Sequence, residues 1–240
     1  MTIEMQVESL NQTKGNLQDY DCKECSNKGL VYFDAGGDLS SRRCKCIQIR
    51  RGIRQIKDIG EKRLQSLDDF VTKKPFQEKM LSMAKQYLTD NGDKWFFIGG
   101  QTGCGKSHIC TAILREIAYT GKTIAFMPWV ECVRELKKSN FSGKYYELID
   151  KYLKCDVLYI DDLFKKRRTE ELSMTDVSIA FEIINHREQN SKKTLISSEL
   201  SAMEIVEIDE ALGSRIIQMS QGYRINIGKD RDKNFRLEEN

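Results

Sequence analysis

The sequence predicts an α/β fold: a parallel sheet covered by helices on both faces, preceded by a small N-terminal module too short to bury a core of its own. Three observations predict it. Short apolar runs at Trp95-Phe96-Phe97-Ile98, Thr123-Ile124-Ala125-Phe126-Met127, Val157-Leu158-Tyr159-Ile160 and Thr194-Leu195-Ile196-Ser197-Ser198 read as buried strands, and stretches with helical apolar spacing alternate with them. The first of these strands runs into a glycine-rich loop and then a helix. Two close cysteine pairs stand near the N-terminus, ahead of any of these strands.

The glycine-rich loop is Gly100-Gln101-Thr102-Gly103-Cys104-Gly105-Lys106-Ser107, which fits G-x-x-x-x-G-K-[ST] without a mismatch. Its glycines let successive backbone N–H groups converge on phosphate oxygens, and the helix that follows adds its positive end. Lys106 then reaches the β- and γ-phosphates of a nucleoside triphosphate, and the Ser107 hydroxyl binds Mg²⁺. ATP and Mg²⁺ are the expected ligands of residues 100–107. The strand from Val157 ends in Asp161-Asp162, a second half of the same chemistry. A carboxylate at a strand's carboxyl end holds Mg²⁺ and its neighbour orients the attacking water, so Asp161 is assigned to the metal and Asp162 to the water.

At 240 residues the chain can hold one full core and a small appended module. Residues 1–66 are read as that module with a basic linker helix, and residues 67–240 as the sheet domain. A hydrophobic content of 40% and a charged content of 31% suit a soluble protein with a heavily charged surface. The start is acidic and lacks an apolar signal core, and no run approaches the ~20 apolar residues of a membrane span. A cytoplasmic location is expected, and there the eight cysteines do not form a disulfide framework. Cys22-x-x-Cys25 and Cys44-x-Cys46, about twenty residues apart, instead match a four-thiolate Zn²⁺ site, with Leu30-Val31-Tyr32-Phe33 as one arm of a hairpin between them. The metal would supply the folding energy that so small a segment lacks.

From Ile47 to Leu64 isoleucines alternate with Arg50, Arg51, Arg54, Lys57, Lys62 and Arg63 in a basic amphipathic pattern. A solvated face, a nucleic-acid patch and a docking surface for an acidic partner all fit it. Pro75 opens a helix that Asn91-Gly92 ends, Gly121 closes the helix after the glycine-rich loop, and two helices lie between Val130 and Leu153. Lys165-Lys166-Arg167-Arg168 follows the acidic strand end as a basic loop, a second candidate for nucleic-acid contact. A helix from Ser173 to Arg187 precedes the strand that ends at Ser198-Glu199. Ser201 and Asp209 cap two further helices, Tyr223–Ile227 closes the sheet, and the charged tail from Lys229 is expected to be mobile.

Taken in order, the cysteine module, the loop at 100–107, Asp161-Asp162-Leu163, Ile184-Asn185-His186-Arg187, Ser197-Ser198-Glu199-Leu200 and Ala211-Leu212-Gly213-Ser214-Arg215-Ile216 resemble the bacterial and phage replicative helicase loaders of the DnaC/DnaI type. These are AAA+ ATPases related to the initiator DnaA and to IstB-like proteins, and the resemblance covers nearly the whole chain. It implies an N-terminal module that grips the hexameric replicative helicase, and an AAA+ domain that binds ATP and single-stranded DNA and self-associates. It also implies that Arg215 is an arginine finger reaching a neighbouring subunit's ATP, a task a guanidinium suits better than an ammonium. One departure stands out: the loaders' sensor strand ends Thr/Ser-Asn, whereas here it ends Ser198-Glu199. A glutamate near the γ-phosphate repels it unless turned away or neutralised, so either Ser198 takes over the sensor role or hydrolysis is slow. The rival readings are an IstB-type transposition helper ATPase with a transposase as partner, a small-molecule kinase, and a nucleotide-gated binding module.

Overall fold

The computed structural model describes residues 2–139, 143–165 and 171–237. Lys166, Arg167 and Arg168 of the basic loop lie outside them. The N-terminal module is built on an antiparallel hairpin, β1 (Leu30–Asp34) and β2 (Leu39–Arg43). A helix, α1 (Ile3–Gln12), precedes it, capped by the Thr2 hydroxyl, which accepts from the Met5 N–H. Asn11 ties α1 to the hairpin. Its carboxamide donates to the Tyr32 carbonyl at 2.9 Å and accepts from the Tyr32 N–H at 3.0 Å, satisfying backbone groups on the edge of β1 away from β2.

Helix α2 (Cys46–Ile59) leads out of the module and ends where Gly60 adopts φ 103°. The remaining elements are α3 (Pro75–Thr89), β3 (Phe96–Gly100), α4 (Lys106–Tyr119), β4 (Ile124–Pro128), α5 (Trp129–Ser139), α6 (Tyr145–Lys154), β5 (Val157–Leu163), α7 (Met174–Gln189), β6 (Lys193–Ser198), α8 (Ala202–Ile208), α9 (Glu210–Met219) and β7 (Arg224–Ile227). Five strands pair in parallel in the order β4-β5-β6-β3-β7, so β6 lies between the strand carrying the glycine-rich loop and the strand carrying Asp161.

Both faces of the sheet are buried, which is why its strands read as continuous apolar runs. The two-residue period of a strand sends alternate side chains into two cores. Phe97, Leu158, Ile160 and Ile196 enter the core under α5 to α9, whereas Phe96, Ile98, Tyr159 and Leu195 enter the core under α2, α3 and α4. Arg187 is fully buried in the first layer, its guanidinium donating to the carbonyls of Tyr152 (2.8 Å) and Cys155 (3.1 Å) and to the Thr194 hydroxyl (2.9 Å). It occupies carbonyls at the end of α6 that helix geometry leaves without donors. No helix among the described residues is long and apolar enough to cross a membrane.

The basic helix α2 is seated on α4. Gly52 meets the α4 backbone so closely that a Cβ there would lie 2.4 Å from the Ala118 carbonyl oxygen. Gln55 donates to the Lys122 carbonyl at 3.0 Å and accepts from the Ile124 N–H at 2.8 Å, and Ile56 joins the core around α4. The sequence changes character near residue 66, but by packing α2 belongs to both units: Cys46 stands in the cysteine cluster and Ile56 in the sheet domain. Much of its basic charge is engaged locally. Arg50 is buried, donating to the Tyr20 carbonyl and the Asn27 side chain, and Arg54 and Lys57 pair with Asp19. Gly52→Ala should therefore force α2 off α4 and lower stability by about 1–3 kcal/mol, the usual range for overpacking. Thermal unfolding checks this, and an unchanged midpoint would mean that the seat is not tight.

Candidate nucleotide site and cysteine cluster

Parallel strands deliver their carboxyl ends to one edge of the sheet, and residues 100–107, 161–162 and 197–199 all lie there. Gly100, Gly103 and Gly105 have φ of 106°, 76° and 97°, left-handed values that favour glycine. At Gly100 a Cβ would sit 1.9 Å from the Ile227 carbonyl oxygen, so β7 can lie alongside only because no side chain is present. Gly105 forms the N-cap of α4, whose first N–H groups open into the loop. Lys106 is buried and folds back across the turn, donating to the carbonyls of Gly100 (2.8 Å) and Gln101 (2.7 Å). Beneath the loop, Cys104 Sγ donates to the Gln101 carbonyl at 2.9 Å.

The C-terminal tail differs from its expected mobility as far as Leu237. The Asp230 N–H donates to Gln101 Oε1 at 3.0 Å and the Phe235 N–H to the Gly103 carbonyl at 3.1 Å. Phe235 packs against Phe76 with ring centroids 6.2 Å apart, and the Asn234 carboxamide occupies the space a Gly103 side chain would need. Two lone apolar positions in a charged segment carry no periodic signal, so the sequence does not announce this packing. Between the loop and residues 69–73 opens a cleft of about 490 Å³, lined by Phe70, Val71, Gln77, His108 and Phe235 among others.

On the other side of the loop the Asp161 carboxylate gathers hydroxyls from three elements. Ser107 of α4 and Ser197 of β6 each donate to Oδ1 at 2.8 Å, and the buried Tyr159 hydroxyl donates to the same oxygen. Burial first, then Cys110 and Asp161, push the Tyr159 phenol far above its ordinary range, so it remains a donor. Ser198 makes no such contact. Its Oγ donates to the Leu163 carbonyl at 2.7 Å and accepts from the Leu200 N–H at 3.1 Å, so the hydroxyl that reaches Asp161 is the one before it. The register sets this: Ile160 faces Ile196, so Asp161 stands level with Ser197, and the irregularity around Asp162 then brings Leu163, not Asp162, opposite Ser198.

Asp162 has φ 59° and its carboxylate accepts from Lys165 at 2.7 Å. Lys165 also lies 3.0 Å from Glu199. Burial alone would raise the Glu199 carboxyl, but Lys165, with Thr102 and Lys106 behind it, holds it below the ordinary carboxylate range. The glutamate therefore stays ionised but is paired with an ammonium that it shares with Asp162. Arg215 is not brought to this edge. Its Nε donates to Glu188 at 2.7 Å, its Nη1 to the Ala211 carbonyl at 2.7 Å, and its guanidinium stacks over Phe181.

In the module, Cys22, Cys25, Cys44 and Cys46 are all buried and their sulfurs lie within 4.8 Å of one another. Sγ–Sγ separations are 3.6 Å for Cys22–Cys44 and 3.5 Å for Cys25–Cys46. A tetrahedron of ~2.3 Å metal–sulfur bonds has edges of about 3.8 Å, so the cluster fits a single ion. Burial opposes charge on Cys25, but the Gly29 N–H and the neighbouring thiols bring it down to about 7. Among the described residues the Nε and Nη1 of Arg50 are buried without an acceptor, and the guanidinium lies beside Cys46, whose charged form it favours against burial.

Residues 40–219 match the family described as IstB-like ATP binding protein. YqaM of Bacillus subtilis, an uncharacterized protein, is 34% identical over 81% of this chain and 66% of its own length. The phage-like element PBSX protein XkdC of the same organism is 30% identical over 91% of this chain and 87% of its own. Among solved structures, the DnaC helicase loader superposes with TM-score 0.57 at 23% identity, covering 69% of this chain and 96% of that one. The replication initiator DnaA bound to AMPPCP and single-stranded DNA gives TM-score 0.57 at 20% identity, over 70% of this chain and 51% of that one. At these identities the likeness is one of fold, the AAA+ fold. For the loop at 100–107, Lys106→Ala should weaken ATP binding at least about tenfold by removing a charged donor from the phosphates. Titration calorimetry with ATP checks this, and parent-like affinity would refute the assignment.

Proposed function

The chain belongs to the IstB-like ATP-binding proteins, and from that premise we propose that it is an ATP-dependent loader of a hexameric replicative DNA helicase onto single-stranded DNA at the initiation of replication. One observation carries the reading: a buried four-cysteine cluster is joined by a docked helix to an AAA+ domain whose fold covers almost all of the DnaC helicase loader. A transposition helper or a small kinase needs no such module. In this reading residues 100–107 wrap the triphosphate and Lys106 turns from its carbonyls to the β- and γ-phosphates. Ser107 and Asp161 hold Mg²⁺, and Asp162 orients the attacking water. Ser197, in contact with Asp161, takes the sensing position rather than Ser198. Cys22, Cys25, Cys44 and Cys46 hold Zn²⁺ and so shape the surface offered to the helicase. Single-stranded DNA would be met by basic side chains such as Arg51 on α2 and by the loop beyond Lys165, through phosphate contacts that weaken with salt.

The family description favours a second reading, an IstB-type transposition helper whose partner is a transposase. Partner capture separates the two. The purified chain should co-elute with the replicative helicase in the presence of ATP, and its zinc content by elemental analysis should be one per chain. Cys25→Ser should lose zinc and helicase together while keeping ATP affinity. Helicase binding that survives loss of the metal, or capture of a transposase alone, would overturn the loader reading.

Arg215 is proposed to act on the ATP of a neighbouring subunit, since its own partners lie on α7 and α9 and none is in the loop at 100–107. A finger supplied in trans typically contributes about 10³–10⁵ in turnover. Arg215→Ala and Lys106→Ala should each hydrolyse ATP slowly alone and recover activity when mixed, because some interfaces then pair an intact loop with an intact arginine. Verified mixed assemblies that stay inactive would mean that Arg215 acts within its own chain or only shapes the surface.

A further inference from the structure

The chain does not leave β5 in a straight line. Asp162 (φ 59°) and Phe164 (φ 61°) are both left-handed, a conformation that L side chains adopt only when their surroundings hold them there. The hold is visible. Phe164 is buried and packs edge-on against Trp129 with centroids 5.5 Å apart, and the Lys165 N–H closes the turn on the Asp162 carbonyl at 2.9 Å. This doubled bend carries the Lys165 side chain back over the sheet edge. Its ammonium comes to rest 2.7 Å from Asp162 Oδ2 and 3.0 Å from Glu199 Oε1. Ser198 is paired with Gly99 in the parallel register of β6 on β3, so Glu199 stands level with Gly100, where the loop at 100–107 begins, and the ammonium it holds stands at the mouth of that loop.

An ammonium has three donors. Among the described residues Asp162 and Glu199 account for two, which leaves the third for a further oxygen. Three carboxylates, Asp161, Asp162 and Glu199, crowd this edge, and a triphosphate adds more negative charge. Without a second cation beside Lys106 they would repel it.

We propose that Lys165 contacts the terminal phosphate of ATP and that Asp162 and Glu199 are the seat that aims it. The proposal rests on the ATP-site reading above. It gives the Ser198-Glu199 strand end a purpose: where the loaders' sensor strand ends in asparagine, the glutamate here positions a lysine. Lys165 is then the group by which the chain tells ATP from ADP, and Glu199 is a positioning residue acting through it.

The test measures affinity for AMPPCP and for ADP in Lys165→Met, Lys165→Arg, Glu199→Gln and the triple variant Lys165→Met/Glu199→Gln/Asp162→Asn. Lys165→Met should lose about tenfold or more in AMPPCP affinity and keep ADP affinity within about twofold, the size expected for one charge-assisted hydrogen bond. Parent-like ADP binding also shows that the variant is folded. Lys165→Arg should restore part of the AMPPCP affinity. The triple variant is decisive, because Lys165 is paired with Asp162 as well as with Glu199. If Lys165 only masks these two carboxylates, removing all three charges returns AMPPCP affinity to the parent value, and the proposal is overturned. If Lys165 touches the phosphate, the triple variant stays as weak as Lys165→Met. Equal losses for both nucleotides, or none for either, would also overturn it. Failure of the parent chain to bind either nucleotide would instead remove the ATP reading and this proposal with it.

Discussion

A carboxylate at the end of a buried strand must be given donors, and the Asp161 carboxylate collects three hydroxyls on one oxygen. Ser107 comes from the helix after the glycine-rich loop, Tyr159 from its own strand and Ser197 from the strand between. That single oxygen fixes how β5, β6 and α4 stand relative to one another at the carboxyl edge. Around it the rest of the site falls into place: Lys106 folded over the loop, Asp162 turned out by the bend in β5, and Glu199 drawn to Lys165.

Much of this was legible in the residues alone. The apolar runs identify β3 to β6, the capping serines at 173 and 201 mark α7 and α8, and the order of motifs identifies an AAA+ protein before any coordinates. A glycine-rich loop is legible because its chemistry demands particular residue types at fixed spacing. What escaped was whatever depends on register or on single contacts. The pairing of Ser197 rather than Ser198 with Asp161 follows from the register of β5 on β6, and the bend beyond it rests on a left-handed Phe164 that no propensity announces. In the sequence Lys165 is one member of a basic run, and its pairing with two carboxylates depends on the bend at Asp162 and Phe164.

The cysteine cluster shows the opposite balance. Its composition and spacing were sufficient to place four sulfurs together, because a module of this size has few other ways to become ordered. The same sequence gave no sign that Arg50, one of many basic residues in its stretch, is buried beside those sulfurs while Arg54 and Lys57 bind Asp19. A run of like charge thus resolves into separate tasks, one internal and others on the surface.

The seating of α2 on α4 through Gly52 has a mechanical meaning. Its first residue is a member of the cysteine cluster, and its later turns are held by the close approach of Gly52 to Ala118 in the helix that begins at Lys106 and by Gln55 to Lys122 and Ile124 beyond it. A 14-residue helix is a rod about 21 Å long. Fixed at both ends, such a rod carries rotation without loss, as a hinge or a slack tether cannot. Any change of attitude in the helix behind the phosphates reaches the cysteine cluster as a displacement that grows along the rod, and a push on the cluster returns by the same path.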